Sequence, residues 1–144
     1  MASSVALATH LASLGLVRYP PDSAGSLPPA YIESAPDKAG RCLLIVTRPS
    51  PAPDKVSAWA YPLLGLVGLD EPGPSLPVRS LVKACVDAVH GTFNTVWAPS
   101  SPEHRLHVTE CVATSSEPLP LPADARGRQR WMQNVQLETN TDPS

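Results

Sequence analysis

The closest approach to a catalytic pair in the sequence is Cys111 with His107, a thiol and an imidazole four residues apart. A cysteine nucleophile needs a base within hydrogen-bonding distance, about 2.6–3.2 Å. Alternation along a strand would place both side chains on one face, but four residues of strand separate them by roughly 13 Å. We therefore expect a half-buried cysteine and a surface histidine, not a nucleophile with its base.

Metal and phosphate sites have equally little support. His104 and His107 are three residues apart, so on a strand they point to opposite faces and form no ready metal pair. Gly65 and Gly68 lack the third glycine and the following lysine of a phosphate-binding loop, so we interpret them as kinks in a strand. The sequence predicts no catalytic residue, no metal site and no cofactor, and hence a protein that is not an enzyme.

Charge and composition also argue against a protein that grips nucleic acid. The chain has 11 basic and 13 acidic residues and a formal net charge of −2, whereas phosphate binding needs a clustered basic face. Trp59 and Tyr61 share a predicted strand face and could stack bases, but no cation lies between them to hold a backbone. A core or subunit-interface role is favoured for these two aromatic residues.

The expected setting is the cytoplasm, without membrane association. Cys42, Cys85 and Cys111 are an odd number without CxxC spacing, so neither a disulfide framework nor a zinc site follows. The first residues lack the basic and long apolar segments of a signal peptide, and no apolar run approaches the ~20 residues of a membrane span.

Apolar periodicity and turn residues predict short elements within one domain, residues 1–144. The 18 prolines cluster between apolar segments and mark the loops. Helices are predicted at 4–14 and 76–90, and strands at 31–33, 41–48, 105–113 and 131–137, the last two as an antiparallel pair. The apolar segment 56–69 is interrupted by Pro62 and two glycines, which favours a kinked or edge strand over a central one.

Together these elements predict an α+β fold, in which a small, mostly antiparallel sheet packs with two helices and carries long proline-rich loops. Lys83 and Asp87, one turn apart, are expected to mark a solvated face of the second helix and nothing more. The connection 115–128 is too long and too rich in proline for a tight hairpin turn. Because long loops on a small frame commonly meet partners, this profile indicates an assembly subunit.

The closing segment carries a resemblance. Residues 120–128 read Pro-Leu-Pro-Ala-Asp-Ala-Arg-Gly-Arg, and Trp131 and the run Asn-Val-Gln-Leu at 134–137 follow. This segment resembles that of tail terminator proteins of the long-tailed phages of actinobacteria, in which proline and leucine precede an Asp-x-x-Gly-Arg stretch and an asparagine opens the final strand. The matching positions are Asp124, Gly127, Arg128 and Asn134.

The order of the predicted elements also agrees with that family over nearly the whole chain. Two departures affect the loops: Pro122 stands where the family usually has a glycine, and residues 50–75 are unusually rich in proline.

The resemblance implies a virion structural protein in the tail or neck. Six copies would form a ring on the last ring of tail tube protein and join it to the head-completion, or stopper, protein, with genomic DNA passing through without specific binding. A closed ring would also cover the open edges of a small sheet. No cofactor is implied.

We expect the loop 115–128, and the segment 49–57, at contacts with neighbours. The expected interface residues are Asp124, Arg126, Gly127, Arg128 and Asn134, with the two arginines as charge-assisted anchors. In an alternative that the sequence leaves open, Asp124 and Arg128 only stabilise their own turn.

Other functions are also open at this point. A head-closure or neck adaptor, or a tail-tube-like subunit, would form rings in the same virion. A small cytosolic enzyme or ligand-binding module would use His107 or Cys111. A structural module with no fixed partner is a further possibility.

Overall fold

Two helices are present in the computed structural model, which describes residues 2–36, 40–50, 59–71 and 76–140. Helix α1 (Ala2–Ser13) and helix α2 (Leu76–Val89) confirm the helices predicted at 4–14 and 76–90, with ends that differ by at most two residues. Each is followed by a glycine in the left-handed region, Gly15 with φ 75° and Gly91 with φ 83°. Glycine adopts this conformation without steric cost, which is why it ends helices so often.

The described strands form one mixed sheet. They are β1 (Ala30–Ile32), β2 (Cys42–Arg48), β3 (Trp59–Ala60), β4 (Leu63–Asp70), β5 (Thr92–Trp97), β6 (Leu106–Ala113), β7 (Leu119–Leu121) and β8 (Gln129–Asn140). The order is β1-β2-β4-β8-β6-β5, and β3 and β7 also pair with β8. Strands β1 and β2 are parallel, and the other pairings of the described strands are antiparallel. The fold is therefore α+β, but the sheet is larger than we predicted.

Strand β4 corrects the prediction for residues 56–69, of which 56–58 lie outside the described residues. We predicted a kinked or edge strand, yet β4 lies between β2 and β8 and is buried over most of its length. Only Pro62 acts as a break, between β3 and β4. Gly68 makes room for a helix: a Cβ there would lie 2.6 Å from Cγ2 of Val78 and 2.7 Å from Cγ2 of Val82. Gly68 thus reflects close approach of α2. On the opposite face of the sheet, a Cβ at Gly65 would lie 3.0 Å from Oδ1 of Asn134 and from Cγ2 of Val46, so neither glycine marks a kink.

Replacing Gly68 with alanine is expected to lower the free energy of unfolding by about 1–3 kcal/mol, since overpacking forces the backbone or the two valines to move. Urea unfolding measures the change. Gly40→Ala is the matched control, because the nearest atom of the described residues to a Cβ there is Oε1 of Glu71, at 3.9 Å. Equal stability of the two variants would contradict close packing of α2 on β4.

The remaining strand predictions hold with two omissions. The strands predicted at 31–33, 41–48, 105–113 and 131–137 are confirmed as β1, β2, β6 and β8, and β6 pairs antiparallel with β8. Strand β5 was not predicted because half of it is exposed and its apolar residues do not alternate. Strand β7 lies inside the segment 115–128, which we expected to be loop throughout. Its Pro120 is compatible with an edge strand, where a missing N–H removes no ladder bond.

Both helices lie on one face of the sheet, which we call the helix face. Helix α2 packs on the central strands β4 and β8, whereas α1 contacts β1 and β2 at one end of the sheet and β5 and β6 at the other. The sheet therefore curves around α1. The core on this face includes the fully buried side chains of Leu7, Leu11, Leu43, Ile45, Leu64, Leu66, Val82, Val86, Trp97, Val135 and Leu137.

The other face of the sheet, the open face, carries no helix of the described residues. A second apolar cluster lies on it, made by Cys42, Val67 and Leu69 and by the partly buried Tyr31, Ala35, Leu44, Val46, Leu121 and Met132. Along the central strands β2, β4 and β8 side chains alternate between the two faces, as expected for the pleat.

Candidate functional site

Cys111 and His107, the nearest approach to a catalytic pair in the sequence, lie on opposite faces of the sheet. A β-bulge between Val108 and Glu110 breaks the alternation, so Cys111 points into the core while His107 lies on the open face. Our prediction that they share a face is wrong, and Cys111 is fully buried, not half-buried. Burial raises the pKa of the Cys111 thiol to about 12. His107 Nε2 is 2.6 Å from Oδ1 of Asn94.

Burial shifts the pKa of the other two cysteines and of His10 toward the neutral form. Burial raises the pKa of Cys42 to about 11 and that of Cys85 to about 12, and all three cysteines are free thiols. Burial also lowers the pKa of His10, whose ring stacks on Trp97 at 5.3 Å. Within the described ranges no group of three or more His, Cys, Asp or Glu side chains could hold a metal ion.

The open face carries a depression of about 270 Å³. Strands β2, β4 and β8 form its floor, and β7 and the turn that follows it form one rim. Its lining residues are Ala35, Leu44, Val46, Arg48, Val67, Leu69, Leu121, Asp124, Arg128, Arg130 and Met132. We call it the open-face depression.

The turn at its rim is built around Asp124. Its Oδ1 accepts hydrogen bonds from the backbone N–H groups of Arg126 (3.0 Å) and Arg128 (2.9 Å), and its Oδ2 accepts one from Nε of Arg128 (2.6 Å). Gly127, with φ 76°, donates its N–H to the Asp124 carbonyl. These bonds, the backbone one from Arg128 first, lower the pKa of the Asp124 carboxyl.

The five interface residues predicted from the sequence therefore lie on or beside the depression. Asp124 and Arg128 line it, and they also stabilise their own turn, as the alternative left open by the sequence predicted. Arg126 is exposed at the tip of the turn, and Gly127 gives the turn its shape. Asn134 is on the open face of β8, paired with Gly65, and its Oδ1 is buried without a hydrogen-bond partner among the described residues. Of the segment 49–57, residues 51–57 lie outside the described residues.

Two arginines of the depression were not singled out in the sequence. Arg130 donates from Nε to the Pro122 carbonyl at 2.8 Å. The Arg48 guanidinium makes no ion pair or hydrogen bond with the described residues. With Arg128, these side chains place three guanidinium groups against one carboxylate, on a chain whose net charge is −2. The depression is thus apolar at its floor and positively charged at its rim.

We predicted that the outer side of α2 is only solvated, and this prediction is wrong in part, because another segment of the chain contacts it. The expected Lys83–Asp87 pair is present at 3.2 Å. Glu117, however, reaches the same helix and pairs with Arg79 at 2.8 Å and with Lys83 at 3.9 Å. The start of the segment 115–128 is therefore fixed to α2, which leaves β7 and the Asp124 turn to border the open face.

Neither α1 nor α2 combines the length and the apolar character that a membrane-crossing helix requires. Comparison of the sequence with protein-family models and with curated proteins gives no match.

Proposed function

We propose that this chain is a structural subunit of a long-tailed phage virion, the tail terminator. It caps the tail tube as a ring and joins it to the head-completion protein. The observation that carries the proposal is the position of the turn that resembles tail terminators: its Asp124 and Arg128 border an apolar depression on the open face. A surface of this kind is typical of protein–protein contacts, in which apolar side chains, methionine and arginine are enriched.

Exposed apolar groups at the sheet margins support assembly as well. Phe93 on the edge strand β5 is 75% exposed, and Leu119 on β7 is 55% exposed. Edge strands expose unpaired backbone groups, and neighbours in a closed ring can cover them. The proposed occupants of these surfaces are further copies of the chain, the tail tube protein and the head-completion protein, assembled in the host cytoplasm.

Removing the chain from the phage tests this proposal. A virion that lacks its terminator is expected to yield free heads together with tails of uncontrolled length, because nothing stops tube growth. Electron microscopy of the lysate measures both, and supplying the wild-type chain in trans should restore intact particles. Tails of normal length with leaking heads would instead indicate a head-closure or neck protein. Normal particles would exclude a structural role in the virion.

A further inference from the structure

A second charged feature lies at the opposite end of the open face. Phe93 on β5 is the cross-strand partner of Glu110 on β6, and Glu110 is the partner of Glu138 on β8. Residues directly opposite each other in a sheet point to the same side. The three side chains therefore form a row, the Phe93 row, in which one exposed aromatic ring stands beside two carboxylates.

The two carboxylates of this row are not neutralised within the described part of the chain. Like charges directly opposite each other across a strand pair are destabilising. Neither Glu110 nor Glu138 makes an ion pair or a side-chain hydrogen bond with the described residues. The row thus offers an apolar knob flanked by negative charge that no described residue of the same copy compensates.

The open-face depression has the complementary properties. Its floor is apolar, and Arg48 and Arg130 extend positive charge along its margin. A cavity of roughly 150 Å³ is enough to hold benzene, so a depression of about 270 Å³ has room for one phenyl ring. The chain thus carries both a knob and a socket, with opposite charges around them.

Knob and socket cannot meet within one copy. Met132 in the depression and Glu138 in the row are both on strand β8, and six residues of strand hold them roughly 20 Å apart. The curvature of the sheet around α1 also turns the two ends of the open face in different directions. Contact between them requires a second molecule.

We propose that the Phe93 row of one copy docks in the open-face depression of the next, with Glu110 and Glu138 pairing with Arg48 and Arg130. This contact joins two different surfaces, so it is repeated from copy to copy and closes into a ring when the rotation allows. It deepens the proposed ring-forming function, on which it rests, by assigning the surfaces through which copies associate.

Charge reversal tests the contact. One variant carries Arg48→Glu with Arg130→Glu, and the other carries Glu110→Arg with Glu138→Arg. Sedimentation of the full chain over a concentration series is expected to show association of the wild type and, for each variant alone, association weakened by at least roughly tenfold. An equimolar mixture should associate again, because each variant then meets a neighbour of opposite charge. Circular dichroism establishes that both variants fold.

Phe93→Ala should weaken association without lowering the melting temperature, and Leu14→Ala, also exposed but just beyond α1 and outside both proposed surfaces, is its matched control. The proposal is overturned if the wild-type chain stays monomeric up to about 1 mM. At that concentration the experiment would miss only contacts whose binding free energy is weaker than roughly −4 kcal/mol. The proposal is also overturned if charge reversal leaves association unchanged or if mixing fails to restore it. These outcomes are separate from the phage experiment. If phage without the chain made tails of uncontrolled length but the association experiment failed, the proposed terminator function would stand and only the proposed contact surfaces would be rejected.

Discussion

Replacing Leu7 and Leu11 together with alanine is expected to leave most of the chain unfolded at room temperature. Both side chains are fully buried on α1, which lies in the concave side of the sheet. Each buried Leu→Ala change costs about 2–5 kcal/mol. The sum approaches the whole stability of an ordinary domain, about 5–15 kcal/mol. Since α1 contacts both ends of the sheet, the loss affects the sheet as a whole.

Far-ultraviolet circular dichroism and urea unfolding of the double variant measure this effect. Leu14→Ala is the matched control, because Leu14 lies just beyond the same helix and is 48% exposed. A surface change of that kind normally alters stability by no more than about 0.5 kcal/mol. If the free energy of unfolding of the double variant lay within about 2 kcal/mol of the wild-type value, α1 would not be the element that fills the concave side of the sheet.

The elements that local patterns determine were predictable from the sequence. Helix α2 combines an apolar stripe with a glycine at its end, and β2 is a continuous apolar run between Gly40 and Pro49. Each of these signals acts over a few neighbouring residues. The expected α+β class followed from such segments alone.

Features that depend on residues far apart were not predictable. Gly68 reads as an interruption of a strand, and only the approach of α2 explains it. The bulge beside Thr109 is matched on β5 by Asn94, which has φ 52°, and nothing in the sequence of β6 reveals the change of face. The edge strand β5 follows no apolar alternation, because much of it faces solvent.

The candidate site shows the same division. The turn of Asp124 and Gly127 is local, so its residues could be identified from the sequence motif. The depression itself is formed by strands distant along the chain, and this brings Arg48 beside Arg130. Alternation places Arg130 on the same face of β8 as Met132 and Asn134, and Arg130 was missed because the strand was predicted to begin at 131.

Trp97→Ala is expected to lower the free energy of unfolding by about 3–5 kcal/mol, the usual cost of deleting a large buried aromatic side chain. Trp97 is fully buried on β5, and its ring stacks on His10 of α1, so it joins the end of the sheet to the helix. Urea unfolding measures the loss. The indole N–H of Trp97 has no hydrogen-bond partner among the described residues, so Trp97→Phe removes an unsatisfied donor along with some side-chain volume. The Trp97→Phe variant should therefore lose less than half as much free energy of unfolding as Trp97→Ala.

The matched control is on the same strand. Phe93→Ala also deletes an aromatic ring, but from a side chain that is 75% exposed, and should change stability by no more than about 0.5 kcal/mol. Losses of equal size at the two positions would contradict the assignment of Trp97 to the core. The expected contrast separates the two roles of β5: one of its rings stabilises the curved sheet around α1, and the other is available to a neighbouring copy.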